Sequence, residues 1–508
     1  MSAGATQRMV STMFDQAFLK GETWDAPGAA VEHIETHAAH VFLCRDRAYK
    51  IKKPVKLPYL DFSTVEKRGA VLRDELAINR VFNPDLYVTV VEKRGEPVLV
   101  MNRFDAKDML SWRVEHGRIN DELARSLADM VAQSHAVVPR RSTPGADIMT
   151  GLGEQLSKAF TSSPDLFRPS ETLEFHALFE EALQRLRQLL NLRGEQGLVR
   201  RCHGDMHCAN IVVRDGKPAL FDAIEFSEKI ATIDVLYDLA FLLMDLQRRG
   251  SARAANVILN RYLNLRRNEE DLSGLAALPL FLSTRAGVRA LVTADLVHEL
   301  KIDQSLRQRG EALDYFRTSL SFLKPPKPLL VCIGGLSGTG KSTLSSRIAP
   351  VVGASPGALH VRSDVERKVM AGVDETERLP PSSYTRAASA TVYRTVLARA
   401  EQALRAGHSV IIDAVFANEN ERHAAQVLAT RCGAAFHGFW LDADPGILKS
   451  RVSQRRDDAS DATPEVIDSQ LDYDLGPMAW TRIDASGSLE DTEALIRRRL
   501  PYPPSARA

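Results

Sequence analysis

GLSGTGKS at residues 335–342 decides the fold of the second part of this chain, as HGDMHCAN at residues 203–210 decides that of the first. The former satisfies the full phosphate-loop pattern: Gly335 and Gly340 frame the turn, Lys341 is the phosphate cation and Ser342 offers a hydroxyl to a magnesium ion. With Ser337, Gly338, Thr339 and Thr343 it forms a loop whose backbone N–H groups and following helix N-terminus cradle an anion. HGDMHCAN carries a different device. Asp205 is spaced to orient or deprotonate an attacking hydroxyl, and Asn210, five residues on, to hold a metal ion. Each loop recruits its own nucleotide, so two phosphoryl-transfer centres are expected.

The chain has 508 residues, and ordinary domain sizes then suggest about three compact units. Its 66 Lys plus Arg are balanced by 65 Asp plus Glu, which leaves no basic field for a nucleic-acid partner. The start, MSAGATQRMVSTMF, lacks the pattern of a secretory signal, and no run approaches the ~18 apolar residues of a membrane span. A soluble, cytoplasmic protein without a membrane partner is expected. Cys44, Cys202, Cys208, Cys332 and Cys432 are few and scattered, as reduced thiols are.

KPPKP at 324–328 forbids a continuous helix and reads as an extended linker. The apolar run LLVCIGG after it reads as a buried parallel strand feeding the phosphate loop. Upstream, VFLCRDRAYKIKK reads as a hairpin, and STVEKRGAVLRDELAINRVF as an amphipathic helix with Ser63 and Glu66 as its capping box. The expected order is a β-rich lobe over 1–104, a helical lobe over 105–323, the linker, a phosphate-loop domain over 329–500 and a disordered tail over 501–508. The fold class is therefore multidomain, α+β followed by α/β.

Around HGDMHCAN, Asp222 in LFDAIEF is placed to hold the metal that bridges the phosphates. Lys50, ending AYK on a strand, is the expected phosphate-binding lysine, with Glu75 of the next helix as its ion-pair partner. Lys52 shares that strand face and is the alternative. These residues resemble the aminoglycoside phosphotransferase family of small-molecule kinases, over roughly residues 30–320. The resemblance implies a two-lobed kinase fold with ATP between the lobes and its adenine on a hinge around Val100 to Arg103. It also places acidic residues at Glu225 and Asp238, the latter ordering the catalytic loop from within the core. No GxGxxG is present; ETHAAHVFL at 35–43 takes the place of the nucleotide-covering hairpin. A zinc reading of Cys202, His203, His207 and Cys208 leaves Asp205 and Asn210 unexplained, and the spacing is wrong for zinc. A decayed kinase that only binds ATP is a second alternative, weakened by the presence of Lys50, Asp205, Asn210 and Asp222 together.

Beyond the phosphate loop, ALHVRSDVERK reads as a strand ending in Ser363 and Asp364, and SVIIDAVF as a buried strand ending in a Walker B Asp413. Asp444 and Pro445 start a helix as N-cap and first residue, and that helix carries Arg451 and Arg455 on one face. The set resembles the P-loop small-molecule kinases, among them gluconate kinase, polynucleotide 5′-kinase and the zeta toxins, over about residues 328–500. By that resemblance Asp364 is the general base, Lys341, Arg451 and Arg455 stabilise transition-state charge, and Ser342 holds magnesium, with Asp413 acting through a metal-bound water. A solvated helix face is the plain alternative for the two arginines. The whole order resembles a group of bacterial fusion proteins. A bifunctional, ATP- and magnesium-dependent phosphotransferase is therefore expected, acting on small hydroxylated molecules such as sugars, amino sugars, aminoglycoside-like compounds or nucleotide sugars. Two other readings stand beside it, a nucleotide-switched regulator and a toxin-like kinase.

Overall fold

The structure is a computed structural model that describes residues 15–36, 38–57, 60–297, 302–454 and 459–501. Arg455 and residues 502–508 of the expected tail lie outside the described residues. The chain forms two compact units, one of Met1–Arg118, Gln133–Arg140 and Arg200–Ile233, the other of Ile119–Ala132, Arg141–Val199 and Asp234–Ala508.

The first unit is built on an antiparallel sheet of β1 (Val31–Glu35), β2 (Ala39–Cys44), β3 (Arg47–Lys52), β4 (Tyr87–Lys93) and β5 (Glu96–Asn102), in the order β1-β2-β3-β5-β4. Phe18, Trp24, Phe42, Ile51 and Val98 form one core cluster of this unit. Leu72 of helix α1 (Val65–Phe82) joins Leu86, Tyr87 and Leu99 in another. The hairpin expected from VFLCRDRAYKIKK is β2–β3, turning at Arg45 in the left-handed region (φ 52). The helix cap falls one residue later than expected: Thr64 accepts from Lys67 N, while the Ser63 hydroxyl donates to Asp61. Adjacent Ser and Thr offer the same oxygen, so the sequence pattern alone could not choose between them. A second hairpin, β6 (Ile211–Arg214) and β7 (Lys217–Leu220), turns at Asp215-Gly216 with φ of 50 and 76, a pairing suited to a tight hairpin turn. It holds HGDMHCAN at one end and Asp222 at the other.

The second unit holds helices α2 (Gly145–Thr161), α3 (Pro169–Glu195), α4 (Val235–Arg248), α5 (Ala252–Arg266), α6 (Leu278–Val297) and α7 (Ile302–Phe322). The segment Glu269–Asp295 is long and apolar enough to cross a membrane by composition, but it is mostly buried, so its apolarity serves the core. After α7 the prolines of 325–328 run without helix or strand into β8 (Leu329–Gly335), every residue of which is buried. Then come α8 (Lys341–Ile348), β9 (Leu359–Arg362), α9 (Ser363–Met370), α10 (Arg386–Arg405), β10 (Val410–Asp413), α11 (Glu419–Arg431), β11 (Ala435–Asp442), α12 (Pro445–Ser453), α13 (Pro464–Leu471), β12 (Thr481–Asp484) and α14 (Leu489–Arg497). The five strands pair in parallel in the order β9-β10-β8-β11-β12, which puts the phosphate-loop strand at the centre.

The start of α4 is fixed by a buried ion pair. Arg193, with its side chain fully buried, donates to both oxygens of Asp234 at 2.7 Å, and Asp234 also caps α4 by accepting from Leu236 N. Asp234→Ala leaves that guanidinium only Asp271 at 3.8 Å and the Glu270 carbonyl as partners and removes the cap, so it should cost about 3 kcal/mol. Chemical denaturation checks this; a loss below about 1 kcal/mol, the range of a surface change, would contradict it.

Candidate active sites

In the first centre the period of a strand puts Lys50 and Lys52 on one face of β3, and Glu75 on α1 meets both. Lys50 Nζ lies 2.7 Å from Glu75 Oε1 and 2.8 Å from Asp222 Oδ1. Lys52 Nζ lies 2.8 Å from Glu75 Oε2 and 2.7 Å from Glu225 Oε1. Of the two lysines, Lys50 is thus the one that reaches Asp222. Burial opposes its ammonium, but Asp222 and Glu75 outweigh burial and hold its pKa well above the ordinary lysine value. Lys50 in turn holds the Asp222 carboxyl low. Burial and the Glu75 charge push Glu225 up.

Asp222 sits in the left-handed region (φ 60), a strained place for a residue with a side chain. Two residues absent from the sequence reading hold it there. Asp222 N donates to Tyr87 Oη at 2.9 Å, and Ala223 N donates to Asn79 Oδ1 at 2.8 Å. Asn79, fully buried on α1 among apolar residues, was the available signal, since a buried amide needs partners.

Asn210 Nδ2 donates to Asp205 O at 2.9 Å and to Asp205 Oδ2 at 2.8 Å. That leaves the Asn210 amide oxygen as an acceptor. Together with the Asp222 carboxylate it makes a hard oxygen donor set of the kind magnesium takes, and a bound ion would supply positive charge to the phosphates. His203 is fully buried; its Nε2 meets Phe221 O at 3.0 Å and its Nδ1 accepts from Asp205 N at 3.3 Å. It ties the Asp205 loop to the Asp222 loop. The soft-ligand quartet is dispersed: Cys202 Sγ donates to Ile233 O, His203 serves the two loops, and His207 Nδ1 accepts from Ala209 N. Asp238 is fully buried on α4, 3.6 Å from Arg285.

In the second centre the loop between β8 and α8 needs its glycines. Gly335 (φ 141) and Gly338 (φ 88) are left-handed, and a Cβ would fall 2.6 Å from Leu441 O at the first and 2.7 Å from Leu448 O at the second. Gly340 (φ 88) ends the loop before Lys341 opens α8. Lys341 Nζ donates to Leu336 O at 3.0 Å, as does the Thr339 hydroxyl at 2.8 Å. Ser337 N donates to Gln470 Oε1 of α13 at 2.8 Å, a contact that no local pattern announced.

Asp364 lies in the first turn of α9, since β9 ends at Arg362 rather than running on to Ser363 and Asp364. Asp413 ends β10, beside β8 in the sheet. Its Oδ2 is buried without a hydrogen bond, 3.6 Å from both His360 Nε2 and Arg362 Nε. Burial works against the Asp413 charge, but His360 and Arg362 hold its pKa down at about 2. Asp364 goes the other way: burial first, and the Asp413 charge second, push it up. An orphaned carboxylate oxygen near the loop, with the Ser342 hydroxyl, fits a magnesium ion. Asp444 caps α12 by accepting from Gly446 N at 2.8 Å, with Pro445 first in the helix. Arg451 donates to Ala485 O at 2.9 Å and Gly487 O at 3.1 Å. Arg451 lines a cleft of about 260 Å³ together with Gly338, Thr339, Gly340, Thr343 and Leu489.

We propose Asp364 as the base of the phosphate-loop centre; a base must be ionised to accept a proton, so its raised pKa moves the acid limb of the rate upward. Transfer at the phosphate loop should fall, as pH falls, through a value above the ordinary aspartate pKa of about 3.9. Asp413, at about 2, stays ionised throughout that range. A pH–rate profile checks this; a limb at or below the ordinary value, or one unchanged by Asp364→Asn, would contradict it.

The model of the phosphotransferase enzyme family matches residues 67–278, and that of an AAA-domain family matches residues 330–474. The uncharacterized protein Rv2004c of Mycobacterium tuberculosis is 28% identical over 474 residues, covering 90% of this chain and 92% of its own. Among solved structures, a choline/ethanolamine kinase family protein from Mesorhizobium loti is similar at 14% identity over 58% of this chain and 93% of that one, with a TM-score of 0.37. A gluconokinase from Sinorhizobium meliloti is similar at 16% identity over 34% of this chain and 95% of that one, with a TM-score of 0.24. Together with the geometry of the two phosphate sites, the family matches make residues 67–278 a phosphotransferase-family domain and residues 330–474 a P-loop kinase-like domain of one ATP-dependent kinase.

Proposed function

We propose that the chain is a bifunctional enzyme whose two centres each transfer the γ-phosphoryl group of ATP, with magnesium, to a hydroxyl of a small molecule. The acceptor class is sugars, amino sugars, aminoglycoside-like compounds or nucleotide sugars. The observation that carries the reading is the joining of Lys50 to Glu75 at 2.7 Å and to Asp222 at 2.8 Å, with Asp205 and Asn210 bonded to each other at 2.8 Å. At that centre Lys50, steadied by Glu75, grips the phosphates while Asn210 and Asp222 would hold the ion. Asp205 takes the proton of the acceptor hydroxyl as its oxygen bonds to the γ-phosphorus. The bond from that phosphorus to the bridging oxygen breaks, and ADP leaves with the electron pair. At the second centre Asp364 takes the proton, Lys341 and the loop amides stabilise the phosphates, and Ser342 and Asp413 would hold the ion.

The test is an unbiased screen of metabolites for ³²P transfer from ATP by the full chain and by two variants. Asp205→Ala should remove one set of labelled products and Lys341→Ala the other. If either change alone abolished all ATP consumption, two independent centres would be excluded. Rapid ADP release by Asp205→Ala without any acceptor would favour a nucleotide-switched regulator instead.

A further inference from the structure

Helix α5 lies inside the phosphotransferase-matched segment, yet one of its faces serves the phosphate-loop domain. Its apolar residues Ala255, Ile258, Leu259 and Tyr262 are buried. On another face, polar residues recur at 256, 260 and 264 and end at 267, the spacing of one helical stripe. Every member of the stripe contacts the second domain. Asn256 Nδ2 donates to Ala358 O at 3.0 Å, and Asn260 accepts from His360 N at 2.7 Å while donating to Ala358 O at 3.2 Å. Asn264 Oδ1 accepts from Arg399 at 3.3 Å. Arg267, the C-cap of α5 in the left-handed region (φ 49), donates from Nη1 to Glu366 Oε2 at 2.6 Å.

These contacts bracket one residue. β9 is the outer strand of the parallel sheet, where unpaired backbone groups need cover, and the two asparagines supply it. Glu366, on α9, has a side chain only 2% exposed and is gripped from its other oxygen by Arg399 Nε at 3.1 Å. Between His360 and Glu366 stands Asp364. The strand before it and the helix that carries it are both held by α5.

We propose that Arg267 is a positioning residue of the phosphate-loop centre: through Glu366 it fixes α9 and so the direction of Asp364, which makes a helix of the phosphotransferase-matched segment a structural part of the second centre. The proposal rests on the reading of Asp364 as the base. Without Arg267, Glu366 keeps Arg399 as its one guanidinium partner, and a carboxylate so buried cannot turn to water for a second, so α9 shifts toward Arg399. A displacement of about 1 Å at a reacting group can cost about 10²-fold in rate.

The experiment uses the full chain carrying Asp205→Asn, so that the first centre is silent, with ³²P-labelled ATP and water as the acceptor. Arg267→Ala should lower kcat about 10²-fold with KM for ATP little changed, and Arg267→Lys should recover part of it. Glu366→Gln, which keeps both guanidiniums, should also lower kcat, and the double variant should lose no more than the worse single one. Hydrogen exchange should quicken at residues 363–370 in Arg267→Ala. Unchanged kcat, additive losses, or a loss confined to KM would overturn the positioning role. If Asp364→Asn kept the background rate, the base assignment would fail and the positioning claim with it. A rate sensitive to Asp364→Asn but indifferent to Arg267 would overturn the positioning claim alone.

Discussion

A charge taken out of water survives in a protein only against its opposite, and both centres are built on that constraint. Leaving a carboxylate or ammonium buried and alone costs several kcal/mol, so Lys50, Lys52, Glu75 and Asp222 are held in one cluster of opposite charges. Glu75, fully buried, lies between Lys50 and Lys52, and the direction of Lys50 toward Asp222 follows from that pairing. Arg193 and Asp234 do the same for the start of α4, and Glu366 with Arg267 and Arg399 for α9. The ion pairs act less as a store of stability than as the coordinates of the sites.

The same constraint separates the roles of two neighbouring aspartates. His360 and Arg362 hold Asp413 at about 2, which keeps it ionised and suited to a cation. Burial and the Asp413 charge push Asp364 up, in keeping with the proton-accepting role proposed for it. One carboxylate defines the electrostatics in which the other works. Asp413 ends β10 and Asp364 follows the end of the adjacent parallel β9, in the first turn of α9, on the side where open α/β sheets place their ligands.

What could be read in the sequence was local. The phosphate loop was legible because its chemistry lies in eight consecutive residues, and the β2–β3 hairpin because its two strands share one turn. Lys50 and Lys52 were legible to the face but not to the choice, since a strand repeats every second residue and only the fold places Asp222 beside one of them. Asn79, Tyr87 and Gln470 escaped because each acts on backbone that is distant in sequence, 144, 135 and 133 residues away. The face of α12 that carries Arg451 could be inferred, but not its carbonyl partners at 485 and 487. KPPKP marks a break in the chain, yet the second unit runs across it from the helices into the parallel sheet. The pair that links those parts, Arg267 and Glu366, is 99 residues apart and leaves no local mark.

Two separate devices for one nucleotide are the core of this account, and binding stoichiometry tests them most directly. Isothermal titration of the full chain with a non-hydrolysable ATP analogue and magnesium should give two sites per chain, and Lys341→Ala should leave one. A single site in the unaltered chain would contradict the account.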